Sequence, residues 1–167
     1  DLGEFMRHPA FDRPYFQELS DAYPRWGGLV RKELIYDQYF DNVGSNELVS
    51  YLGALIDAST ARPVFHECRT SSRIAACKAV AGGYHVHLLR NPHDQWWSML
   101  KSSYFSNSML MILNCEKKPA ALQCFAQDIN FYPYHSKSIS DGFHYFDKLQ
   151  YRADIQYKLF FIIWVLA

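Results

Sequence analysis

The residues best placed to do chemistry lie in Tyr84-His-Val-His-Leu-Leu-Arg-Asn-Pro-His-Asp-Gln-Trp-Trp-Ser98, where an apolar run ends at Arg90 and a hydroxyl returns eight residues later. Asn91 before Pro92 is a helix-start signal, with the amide at the cap and proline at the first helical position. A cation thus stands at the end of an expected strand, and Ser98 on the first turns of the helix behind it. One anion could take both, over the unpaired N–H groups of the helix start. Phosphate is the anion this pattern suggests. A second group repeats the design, since Glu67-Cys-Arg-Thr-Ser-Ser-Arg73 sets three hydroxyls between two arginines at another expected helix start. Arg73 in a first turn is opposed by the helix dipole, and an anion held by Arg69, Ser71 and Arg73 would offset that. The plainer reading, arginines paired with nearby carboxylates, carries equal weight.

These side chains need elements to aim them. Residues 63–68 and 84–89 read as short buried strands. Between them, a helix capped by Thr70 or Ser71 runs to about Val80 and stops at Gly82-Gly83. Two strands joined by such a helix make a βαβ unit, whose crossover forces them parallel. The expected fold is α/β, a parallel β-sheet flanked by helices, with residues 1–167 forming a single domain. Ligands of open parallel sheets bind beyond the carboxyl ends of the strands, where Arg69 and Arg90 both stand. Elsewhere the pattern predicts helices over residues 13–23, 92–102, 119–130 and 152–167. It also predicts a Ser45-capped helix over 46–58, with Leu48, Leu52, Leu55 and Ile56 apolar, and a loop over 131–140.

Composition bounds the partners. Of 167 residues, 49% are hydrophobic and 17% aromatic, enough for one real core and unlike a disordered tail. Lys+Arg and Asp+Glu balance at 17 each, which argues against a surface that coats nucleic acid. Cys68, Cys77, Cys115 and Cys124 form no CxxC pair, so buried free thiols in a reducing, cytoplasmic setting are expected. No signal peptide is visible. The apolar run Leu159-Phe-Phe-Ile-Ile-Trp-Val-Leu-Ala167 has nine residues, well short of the roughly 20 of a membrane span, and reads as a buried helix. Starting at Asp1 and stopping inside that run, the chain looks like a piece of a longer one.

Other motifs are weak. Gly27-Gly-Leu-Val-Arg-Lys32 and Val43-Gly-Ser-Asn46 lack the Walker A layout, and no Gly-x-Ser-x-Gly elbow occurs. His85 and His87 share a strand face without an evident third ligand, so they read as structural and no metal is expected. Trp96 and Trp97 read as core residues, although one could wall an adenine pocket. Tyr132, Tyr134, Phe143 and Tyr145 suit an acceptor cleft as well as a core.

The stretch from Arg62 to Ser98 resembles the PAPS-dependent sulfotransferases, particularly the bacterial sulfotransferase-like proteins. Their strand ending in Arg-Asn-Pro or Arg-Asp-Pro, followed by Asp and a helix serine, is matched by Arg90-Asn-Pro-His-Asp-Gln-Trp-Trp-Ser98. Glu-Cys-Arg before a serine-rich helix start is similar too, as is the terminal Leu-Phe-Phe-Ile-Ile-Trp-Val-Leu. The resemblance implies a P-loop NTPase-like three-layer sandwich, here partial, and PAPS as co-substrate without a metal. Arg90 and Ser98 would hold the 3′-phosphate, with Arg69, Ser71 and Arg73 as further donors. The sulfuryl group would pass to a hydroxyl or amine of a small-molecule or carbohydrate acceptor, with Glu67 or His66 taking its proton. Strand alternation lets only one of those two face the site. The chain departs from the family in one respect, for no Gly/Ser/Thr-rich phosphosulfate loop precedes Arg62. Two other readings follow, a P-loop-type small-molecule kinase and a non-catalytic nucleotide- or anion-binding remnant.

Overall fold

The computed structural model describes residues 27–59, 61–65 and 69–167. The described residues divide into two compact units, one ending at His87 and one running from Leu88 to Ala167. The helix expected over residues 13–23 lies outside the described residues.

In the first unit a short 3-10 turn, Gly27–Leu29, and a π turn, Glu33–Asp37, lead to helix α1, Asn46–Asp57. Ser45 caps α1 as expected, its hydroxyl accepting from the Leu48 N–H at 3.2 Å, and Glu47 in the first turn complements the dipole. Leu48 and Leu52, one turn apart, bury the same face against α2, Ile74–Ala81. Together with Leu34, Ala76 and Cys77 they make the core of this unit. A 3-10 turn, Ser71–Arg73, feeds α2, and Gly82 ends it at φ 61°, ψ −149°, a conformation open only to glycine.

The second unit is a packed set of five helices. Helix α3, Pro92–Met99, is capped by Asn91 and is shorter than expected, because Ser102 starts a new helix by accepting from the Tyr104 N–H at 3.2 Å. That helix, α4, Ser103–Leu113, is buried without interruption from Asn107 onward. Helix α5, Ala120–Asp128, ends in a Schellman motif. The Phe131 N–H reaches the Ala126 carbonyl at 2.8 Å, and Asn130 takes the left-handed φ of 50°. Helix α6, Ile139–Phe146, occupies the end of the expected loop and starts at the Ser138 cap. Helix α7, Ala153–Leu166, closes the unit and packs against α3, α4 and α5. Trp96 of α3 meets Tyr157 and Phe160 of α7 at 5.3 and 5.6 Å, the core role expected of it.

The α/β expectation fails. No strand occurs among the described residues, which therefore form no parallel sheet and no P-loop-like three-layer sandwich. Residues 84–89 have no regular secondary structure, Tyr84, Val86, Leu88 and Leu89 are all at least 75% exposed, and none of their backbone groups joins a ladder. Val64 in the other expected strand is 90% exposed, and residues 66–68 lie outside the described residues. An apolar run reads as a buried strand only if something covers it, and that is a tertiary matter the run itself does not encode.

Burial corrects two further expectations. Cys77 and Cys115 are buried as expected, but Cys124 is exposed and Cys68 lies outside the described residues. The last apolar run is helical, yet only Leu159, Phe160 and Ile163 are buried, while Phe161 and Val165 face outward. No described helix is long and apolar enough to cross a membrane.

Candidate functional site

Arg90 is exposed at the end of this irregular segment and makes no ion pair or hydrogen bond among the described residues. The Asn91 carboxamide directly after it accepts from the His93 N–H at 2.9 Å, and Pro92 supplies the fixed φ of a first helical residue. This is the cap that the sequence predicts. Ser98 is half-buried six residues beyond Pro92, a rise of about 9 Å along the axis. It therefore sits above the first-turn N–H groups rather than among them. Asp94 in the first turn opposes an anion there, and the nearby His93 ring lies 3.8 Å from its carboxylate. Trp97 is exposed and donates to His93 Nε2 at 3.0 Å, so it is not the core residue the sequence suggested.

The second arginine group is engaged with its own unit. Ser71 Oγ lies 3.2 Å from the Tyr39 hydroxyl, and Ser72 Oγ donates to the Tyr39 carbonyl. Arg73, only 3% exposed, donates through Nη1 to the Gln38 carbonyl at 3.3 Å, and the Arg69 guanidinium lies 5.7 Å over the Tyr36 ring. Neither Thr70 nor Ser71 caps the helix through its side chain as expected. These residues tie the start of α2 to the segment around residues 36–39, where Lys32 also pairs with Asp37 at 2.7 Å. The shared pocket expected of Arg69 and Arg90 required two strand ends, and no strand occurs among the described residues. Arg69, Ser71 and Arg73 belong to the first unit, Arg90 and Ser98 to the second. His66 and Glu67, the candidate bases, lie outside the described residues.

The second unit holds a cleft that sequence reading missed. It measures about 480 Å³ and lies among α4, the end of α6, the segment after it and the start of α7. Its floor is apolar, with Leu110, Phe146 and Leu159, while Asp147, Gln150 and Tyr151 bring polar groups to it. Asn107, 2% exposed on α4, donates from Nδ2 to Asp147 Oδ1 at 3.0 Å. The two residues are forty apart in sequence, so no local pattern joins them. Burial raises the Tyr151 phenol above its ordinary pKa, keeping it a neutral donor at pH 7.

The aromatic set proposed for an acceptor cleft is divided. Phe143 is fully buried core, Tyr132 is exposed, and Tyr134 stacks on Tyr145 with ring centroids 3.8 Å apart. His85 Nε2 lies 2.6 Å from the Gly82 carbonyl, and no group of three metal-binding side chains occurs among the described residues. No protein-family model, curated protein or solved structure matches this chain.

Proposed function

We propose that the chain binds the 3′-phosphate of PAPS, or of its product adenosine 3′,5′-bisphosphate, at Arg90 and the start of α3. The observation that carries this reading is an exposed arginine, without a carboxylate partner among the described residues, directly before an Asn-capped, Pro-initiated helix. A guanidinium recognises phosphate through paired charge-assisted hydrogen bonds, and the helix start adds backbone donors and a favourable dipole. Ser98 adds a neutral donor. In the whole protein this grip serves sulfuryl transfer from PAPS to a hydroxyl or amine, leaving adenosine 3′,5′-bisphosphate. One observation favours the reading without catalysis. Ser71 and Arg73, two of the other donors proposed for the nucleotide, bond the Tyr39 hydroxyl and the Gln38 carbonyl instead.

Thermal unfolding with and without adenosine 3′,5′-bisphosphate tests the proposal. At 100 times Kd a bound ligand adds about 2.7 kcal/mol, a readily measured rise in Tm. At the same ligand concentration Arg90→Ala should cut this to about 0.3–1.3 kcal/mol, since losing a charged hydrogen bond costs about 1.5–3 kcal/mol, and Ser98→Ala should reduce it less. An unchanged shift in Arg90→Ala, or no shift in the parent chain, would remove the reading. Sulfuryl transfer to simple phenols and amines then separates an enzyme from a binding module.

A further inference from the structure

The cleft of the second unit has a feature that neither phosphate binding nor core packing uses. A surface carboxylate is ordinarily held by nothing, or by a mobile lysine. Asp147 is instead held by a carboxamide that α4 buries almost completely, and the 3.0 Å bond fixes one oxygen on the cleft wall. The other oxygen accepts no hydrogen bond among the described residues, and no described cation pairs with the group. Leu110, Phe146, Leu159 and Tyr151 line the same cleft. The volume of about 480 Å³ is that of a small-molecule site, whose usual form is an apolar body with a few fixed polar groups.

We propose that this cleft is a binding site for a primary ammonium ion carrying an apolar or aryl body. The ammonium donates to the open oxygen of Asp147, the hydrocarbon covers Leu110, Phe146 and Leu159, and Asn107 acts as the positioning residue that pre-orients the carboxylate. An anion is refused by the same charge, and a neutral ligand gains the apolar contact without the ion pair. The proposal rests on residues distinct from Arg90 and Ser98, so it stands whether or not a nucleotide binds there.

The test uses the full chain with two probes of nearly equal shape, phenethylammonium and 2-phenylethanol, titrated at pH 7 and followed by ligand-observed NMR. Phenethylammonium should bind at least about tenfold tighter, the value of one charge-assisted hydrogen bond. In Asp147→Asn, which keeps the shape and the bond from Asn107, the preference should fall to within about twofold while 2-phenylethanol binds as before. Equal affinities in the parent chain overturn the proposal without recourse to any variant. A preference that survives Asp147→Asn overturns it as well, by placing the ammonium elsewhere.

Discussion

Asp141 shows how one side chain sets the behaviour of its surroundings. It follows the Ser138 cap by three residues, and its own N–H donates to the Ser138 hydroxyl at 3.1 Å. Its carboxylate reaches back to the Lys137 N–H at 2.8 Å and accepts the Tyr134 phenol at 3.1 Å. The backbone bond from Lys137, aided by the Tyr134 hydroxyl, holds the Asp141 carboxyl below its ordinary value of 3.8. A folded value below the unfolded one means stability that is present above about pH 4 and lost as pH falls through the folded value. The same bond raises the Tyr134 phenol above 10.0, chiefly because ionising it would lose the donor to Asp141. That contribution is present below pH 10 and lost as pH rises through the raised value. Asp141→Asn should therefore lower stability at pH 7, by a deficit that is smaller at pH 3. Urea unfolding of both proteins at the two pH values measures it, and a deficit equal at both would contradict the assignment. At this scale the sequence was informative for two local caps, though not for those expected of Thr70 or Ser71. Ser45 and Asn91 cap the helices they precede, because a cap needs only the next three residues. Asn107 and Asp147 were illegible for the opposite reason.

Among elements, the contact between α4 and α6 depends on a missing side chain. A Cβ added at Gly142 would overlap the Met111 thioether sulfur and come within 3.2 Å of Ser136 Oγ. Met111 is 1% exposed, so it has little room to turn away. Alanine in place of helical glycine ordinarily adds about 1 kcal/mol, whereas overpacking a tight core costs about 1–3 kcal/mol. Gly142→Ala should thus destabilise by about 1 kcal/mol. In a Met111→Ala background the clash is gone and the same change should stabilise. A double-mutant cycle by denaturant unfolding reads the coupling directly, and additive effects would show that the helices can separate freely. The sequence does not announce α4, and the cause is physical. Residues from Asn107 to Leu113 are buried on every side, so no polar face marks the helical period. The strand reading of residues 84–89 failed through the same ambiguity in reverse, since an apolar run looks alike whether covered or bare. With the strands went the sheet, and with the sheet the physical reason to join Arg69 to Arg90.

For the molecule as a whole, the segment between α2 and α3 is the consequential feature. Residues 82–91 are exposed throughout, the division between the two compact units falls inside this stretch, and residues 84–90 make no backbone–backbone hydrogen bond among the described residues. Cleavage by a protease requires several residues to open into an extended form, and the cost of opening is set by the contacts that must be broken. Here few need breaking, while Lys78 sits within α2 and most other described basic residues lie in or beside folded helices. Among the described residues, trypsin should therefore cut fastest after Arg90, leaving a fragment that begins at Asn91 and retains the buried cluster of Leu110, Met111, Leu122, Phe143, Phe146 and Leu159. Mass spectrometry of a short digest under native conditions identifies the site, and Arg90→Gln should remove that product without hastening the others. The same cut reports on function, because the guanidinium that trypsin needs is the one proposed to grip the nucleotide phosphate. Saturating adenosine 3′,5′-bisphosphate should slow cleavage after Arg90 severalfold and by more than cleavage after Lys101. A ligand that stabilised the fold through another site would not favour Arg90 in this way, and one that did not bind would slow neither.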